Sequence, residues 1–237
     1  MIIDVHNHGL FGVDDGAETI EESRLMLQQA AEQGIQAIVL TPHYRYGMFA
    51  YPKEQIEASF KQLQDFALPM GIELFLGCEY HVDSHMAEAF QSGWCHSMAD
   101  GEYVLTEYSY KTEYSSIVKY TQRMLSYGYI PIIAHAERYE CLLKKPEHCA
   151  ELADLGAKIQ INADSVLGEC GRTAAQFCKK LLKKGWVYVI ASDAHGASQR
   201  ACHLKECWNY IERKYGQELA ERLFYKNPAK IVRNIQN

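Results

Sequence analysis

The segment Ile2-Ile3-Asp4-Val5-His6-Asn7-His8 decides how this chain is read, because a short apolar run ends at once in two imidazoles. A run of that length, bounded by polar groups, predicts a buried β-strand. Further runs of the same kind stand at 35–40, 72–76, 103–106, 130–134, 157–161 and 186–191. Between them, apolar residues at helical spacing predict helices over 17–33, 53–67, 84–91, 115–127, 146–154 and 172–184. The remainder, 202–235, reads as helical with a break at Asn227-Pro228. Strands alternating with helices define an α/β protein. Seven repeats fit a (β/α)7 barrel, and a doubly wound open sheet is the alternative that periodicity leaves open.

Composition narrows the class. The chain has 237 residues, 48% hydrophobic and 23% charged, which suits a soluble globular protein with a real core. A single domain over 1–237 is expected. The formal net charge of −6 argues against nucleic acid as the main partner, since phosphate backbones are held by clustered Lys and Arg. The N-terminus is charged too early for a signal peptide, and no apolar stretch is long enough to span a bilayer. Eight cysteines without a CxxC pair read as reduced thiols, so a cytoplasmic location is expected. Cys207 and Arg213 match the C-x5-R spacing of cysteine phosphatases, but the bulky residues between them lie in a predicted helix and cannot form a phosphate loop.

The polar residues fall at one recurring place. His6 and His8 follow the first strand, His43 the second, Glu79 the third, Glu107 the fourth, His135 the fifth, and Asp193 and His195 the seventh. Parallel α/β folds build their sites at the carboxyl ends of strands, so these side chains are expected on one rim. Asp14 and Asp15 add two acids on the loop after the first strand, and Gly16 is expected to turn the chain toward the next helix. Acids gathered on one rim repel one another unless cations neutralise them. Imidazole with carboxylate suits Mn, Fe, Zn or Ni. Asp15, Glu79, Glu107 and Asp193 carry four negative charges, which three divalent ions exceed by two. Such a site attracts an oxyanion, and Arg138 and Arg200 are candidates to grip phosphoryl oxygens.

The ordered set Asp4-Val5-His6-Asn7-His8, Gly12-Val13-Asp14-Asp15-Gly16, Thr41-Pro42-His43, Gly77-Cys78-Glu79, Glu107, His135-Ala136-Glu137-Arg138-Tyr139, Asn162 and Ser192-Asp193-Ala194-His195 resembles the PHP (polymerase and histidinol phosphatase) superfamily. More narrowly it resembles the CpsB-type bacterial tyrosine-protein phosphatases of capsular and exopolysaccharide synthesis. The resemblance implies a PHP-type barrel with three divalent ions, manganese foremost, with Fe, Zn, Co or Mg also accepted. It implies His6, His8, Glu79 and Asp193 at one ion, Glu79, Glu107 and His135 at a second, and Asp15, His43 and His195 at a third. Asp15 rather than Asp14 follows from matching the Asp-Asp-Gly triplet, and the two acids are interchangeable on spacing alone. Arg138 and Arg200 correspond to catalytic phosphate-binding arginines.

The implied reaction is hydrolysis of phosphotyrosine by a metal-bound hydroxide. The implied partner is the tyrosine-rich tail of a bacterial tyrosine autokinase, to which the enzyme would be recruited at the membrane without inserting in it. Tyr44, Tyr46, Tyr51, Tyr108, Tyr110 and Tyr114 are expected to rim a peptide cleft. The competing readings are a PHP phosphatase of a small metabolite such as histidinol phosphate, and a non-catalytic metal-binding regulator.

Overall fold

A computed structural model describes residues 1–232. Its ten strands are β1 (Ile2–Asn7), β2 (Ile35–Leu40), β3 (His43–Arg45), β4 (Phe49–Ala50), β5 (Glu73–Leu76), β6 (Glu79–His81), β7 (Tyr103–Glu107), β8 (Ile130–Ile133), β9 (Lys158–Asn162) and β10 (Val189–Ala191). The α-helices are α1 (Ile20–Glu32), α2 (Lys53–Ala67), α3 (Met86–Gln91), α4 (Tyr114–Ser126), α5 (Glu140–Lys144), α6 (Glu147–Leu155), α7 (Ala163–Leu167), α8 (Arg172–Lys184), α9 (Leu204–Tyr215), α10 (Gln217–Glu221) and α11 (Asn227–Val232). The architecture is mixed α/β. One parallel sheet runs β1-β2-β5, and the other runs β10-β9-β8-β7-β6-β3-β4, parallel except for the β3–β4 hairpin.

Each of the seven predicted runs is a strand to within a few residues. The additional strands have a local cause. Pro42 has no N–H to give a ladder, so the second run breaks there and resumes as β3. Alongside it, Gly77 N donates to Leu40 O at 2.8 Å and Glu79 N donates to Pro42 O at 3.2 Å, which carries β5 on into β6. The two outer ends of the strand array also meet. His8 N donates to Ala194 O at 2.8 Å and Asp193 N donates to His6 O at 2.9 Å, and Asn7 and Ala194 form a parallel bridge.

The helix boundaries correct the sequence reading in two places. α1 starts at Ile20 rather than 17, because the Thr19 hydroxyl accepts from Glu22 N at 3.2 Å and caps it. The expected helix 202–235 is broken at Gly216 (φ 96), not at Asn227-Pro228. Pro228 lies in the first turn of α11, directly after a π-helical turn over Arg222–Lys226, and the helical path continues through it. Residues 233–235 of that expectation lie outside the described residues. Among the described residues no helix is long and apolar enough to cross a membrane.

Candidate metal centre

The carboxyl ends of the strands deliver their polar residues to one place, and most of these side chains are buried. His6, His8, Glu79, His135, Asp193 and His195 are each less than a tenth exposed. β1 is extended, so His6 and His8, two residues apart, point the same way, with their Nε2 atoms 3.1 Å apart. β3 sets His43 directly beside Glu79 of β6, and β6 sets His81 beside Glu107 of β7.

Glu79 stands at the middle. Its Oε2 lies 3.0 Å from His6 Nε2, 3.2 Å from His8 Nε2 and 3.1 Å from His43 Nε2, while its Oε1 lies 2.7 Å from His135 Nε2. Three donor groups have ligand atoms within 4.8 Å of one another: His6, His8, Glu79 and Asp193; His8, Asp15, His43 and His195; His43, Glu79 and Glu107. The first is the set expected for one ion. The second is the expected Asp15, His43 and His195 with His8 added. In the third, His43 takes the place expected for His135, whose Nε2 is 4.0 Å from Glu107 Oε1. His43 can do so because β3 runs beside β6.

The back atoms of these rings are held by acceptors. Gln160 Oε1 accepts from His135 N at 2.8 Å and lies 3.1 Å from His6 Nδ1, so that nitrogen is the one that donates. Asp14 Oδ2 lies 2.9 Å from His8 Nδ1 and accepts from His43 N at 2.9 Å, while its Oδ1 accepts from Gly16 N at 3.0 Å. His195 Nδ1 donates to Asp193 O at 2.9 Å. Each of these contacts leaves an Nε2 lone pair facing inward, which is how outer partners orient metal-binding histidines.

The donor set fits cations. Glu79 Oε2, Asp193 Oδ1 and His195 Nε2 are buried and have no hydrogen-bond partner. Inward lone pairs crowding a carboxylate oxygen repel unless something positive lies between them. Protons can meet part of that demand. Burial opposes charge on His6 and His43, but Glu79 overrides it with Asp193 at His6 and with Asp14 and Asp15 at His43, and raises each imidazole to about 9. Burial raises the Glu107 carboxyl to about 7, with Glu79 reinforcing it. Burial, with His8 nearby, lowers His195 to about 4, so it is neutral and ready to ligate.

The two acids after β1 have separate positions. The Asp14 side chain is buried and spends both oxygens on His8, His43 and Gly16. Asp15 is half-exposed, with Oδ1 3.6 Å from His195 Nε2 and 3.4 Å from His43 Nδ1. Gly16 is required by contact rather than by a turn, since a Cβ there would sit 2.0 Å from His8 O. Arg138 Nη2 donates to Asp193 Oδ2 at 2.6 Å, and Asn162 Nδ2 donates to the same oxygen at 2.7 Å. Arg200 is 3.6 Å from both Asp15 and Asp193. His135 (φ 32), Asp193 (φ 54) and Arg200 (φ 50) all occupy the left-handed region, a strain that packed surroundings impose at functional sites.

Several expectations about the rim need correction. Tyr51 is buried in the core, and Tyr114 stacks on His148 instead of facing a cleft, while Tyr44 and Tyr108 are mostly buried but line cavities with Tyr46 and Tyr110 respectively. Tyr46 and Tyr110 are exposed. Sequence reasoning also missed Gln160 and Asp4. Gln160 interrupts the apolar run Ile159-Gln160-Ile161, which is a usable signal for a buried polar role. Asp4 accepts from Ser192 N at 3.0 Å and from Asn7 Nδ2 at 3.1 Å, fixing the end of β1, which carries His6, to the loop that carries Asp193.

Comparison with known proteins agrees with this geometry. The chain is 34% identical over 238 residues to the tyrosine-protein phosphatase CpsB of Streptococcus pneumoniae, covering 98% of each. Its structure is similar, with a TM-score of 0.91 and 28% identity over 98% of this chain and 95% of the other, to crystal structures of YwqE from Bacillus subtilis and CpsB from S. pneumoniae, described as metal-dependent tyrosine phosphatases. An organophosphorus hydrolase from Deinococcus radiodurans shares the fold alone, with a TM-score of 0.65 at 11% identity over 98% of this chain and 92% of that one. The family model for capsular polysaccharide synthesis, CpsB/CapC, matches residues 2–233, and the chain belongs to that family.

Proposed function

We propose that this protein is a metal-dependent protein-tyrosine phosphatase of capsular or exopolysaccharide synthesis, acting on the tyrosine-phosphorylated tail of a bacterial tyrosine kinase in the cytoplasm. The observation that carries the reading is Glu79, whose unpartnered Oε2 is ringed by three imidazole nitrogens inside a buried cage of further donors. Family membership, with named tyrosine phosphatases among its relatives, supports the activity. The eight cysteines, none of them paired, support a reducing compartment.

The chain is one domain over 1–237, with its seven staves closed into a distorted (β/α)7 barrel of the PHP type. The Asn7–Ala194 bridge, which brings β10 against β1, supports closure. The cage would take three divalent ions. His6, His8, Glu79 and Asp193 would hold one, Glu79 and Glu107 with His135 or His43 a second, and Asp15, His43 and His195 a third. Manganese is the assignment that the PHP resemblance favours, and the donor set also suits iron, zinc, cobalt or magnesium.

Such cations supply acidified water and neutralise phosphoryl charge. The protein's own groups do the rest. Arg138 and Arg200 direct their remaining N–H groups at phosphoryl oxygens in planar forks. Asp193 holds Arg138 in place while presenting its other oxygen to the cage. Asn162 locks Asp193 in turn. A tyrosine leaving group, with a pKa of about 10, departs without needing a strong general acid. Beside the cage, Tyr46, Met48 and Trp94 expose apolar surface around a cavity of about 360 Å3, which favours a peptide over a small metabolite.

The test compares turnover of a phosphotyrosine peptide with that of histidinol phosphate, using manganese-loaded enzyme. The peptide is expected to be the better substrate by kcat/KM. A preference for histidinol phosphate, or no hydrolysis of either, contradicts the reading.

A further inference from the structure

The β3–β4 hairpin brings a third arginine to the rim of the cage. Arg45 lies two residues beyond His43 on an extended strand, so both side chains leave β3 on the same face. It lines a cavity of about 310 Å3 together with Glu107, Ser109, Tyr110, His135 and Arg138. The cavity thus opens onto the donors of the cage on one side and onto the exposed Ser109 and Tyr110 on the other.

The three arginines differ in how their charge is answered. Arg138 is 2.6 Å from Asp193, and Arg200 is 3.6 Å from Asp15 and from Asp193. Arg45 is a half-buried residue, and its guanidinium makes no hydrogen bond and no ion pair within 4.0 Å among the described residues. Glu107 is the cage acid that feels its charge. Once cations claim Glu107, no carboxylate among the described residues lies within 4.0 Å of the Arg45 guanidinium to balance it. A guanidinium partly withdrawn from water, with its planar N–H fork unspent, is matched by a carboxylate or phosphoryl group.

We infer that Arg45 forms a second anion subsite, holding a carboxylate or phosphoryl group on a residue next to the phosphotyrosine and so selecting which peptides are dephosphorylated. The inference rests on the phosphatase reading above. Arg45 acts on peptide choice, whereas Arg138 and Arg200 hold the phosphoryl group that is transferred.

Three phosphotyrosine peptides of one sequence test it, with glutamine, glutamate or phosphoserine as the neighbouring residue. Loss of phosphate from tyrosine is followed with manganese-loaded enzyme. Wild type is expected to favour the glutamate or the phosphoserine peptide over the glutamine peptide by about tenfold in kcat/KM, expressed in KM, as one charge-assisted hydrogen bond implies. A preference for only one of the two anions identifies the group that is held. Arg45→Met is expected to bring the ratio to about one, and Arg45→Lys to retain part of it. If Arg45→Met does not fold, the KM values of Arg45→Lys carry the comparison. No anion preference in wild type, or an unchanged preference in the Arg45 variants, overturns the inference. Failure of wild type to hydrolyse any of the three peptides overturns the phosphatase reading instead.

Discussion

One oxygen of Glu79 faces three imidazole nitrogens, and the back of each ring has been given something to hold. That arrangement makes outer residues testable. Gln160→Leu keeps approximate shape but removes the acceptor for His6 Nδ1 and His135 N. Metal affinity is expected to fall about 10–100-fold, as for other outer partners of metal-binding histidines, and calorimetric titration measures it. Unchanged affinity would show that Gln160 does not orient the ring. Arg200 calls for the opposite signature. Its side chain reaches the cage only through ion pairs at 3.6 Å, so Arg200→Ala is expected to lose most turnover on aryl phosphates while metal content by mass spectrometry stays near that of wild type. Wild-type turnover in that variant would remove Arg200 from phosphate binding.

Strand ends and the loops after them place the donors, and the loop after β1 is closely packed. Gly16 packs against His8 O so closely that Gly16→Ala must push the Asp14–Asp15 loop away from the cage. The expected loss is about 1–3 kcal/mol, as for other overpacked sites. A chain of this size responds with about 2–4 °C in Tm per kcal/mol, readable by thermal unfolding. An unaltered Tm and unaltered metal affinity would mean the loop yields freely. The sequence announced the strands and the positions of His6, His8, His43, Glu79, Glu107, His135, Asp193 and His195, because a short apolar run fixes where its carboxyl end lies. It did not announce contacts made between distant runs. Gln160 behind His6, Asp14 behind His8 and His43, and Arg45 beside Glu107 depend on which strands become neighbours, which periodicity does not encode. Tyr51 and Tyr114 leave the rim for the same reason, since burial and stacking are decided by the elements packed against them.

Charge links the cage to the stability of the fold as a unit. In the metal-free protein His6 and His43 are raised to about 9 from 6.5, so their protonated forms favour folding. That contribution is present in full below pH 6.5 and is lost as pH rises through about 9. Cations need neutral imidazole, so binding displaces those protons, and affinity is expected to rise with pH until it levels off above about 9. Flat affinity between pH 6.5 and 9 would mean protons are not held there. Removing metal with a chelator is expected to lower Tm, since ions at about 100 times their dissociation constant add about 2.7 kcal/mol to the folded state. The most direct measurement titrates Mn2+ into exhaustively chelated protein, following bound metal and phosphotyrosine-peptide turnover together. Turnover is expected to be absent without metal and to rise as up to three ions bind per chain. Full turnover in protein shown to hold no metal would contradict the cage as the source of activity.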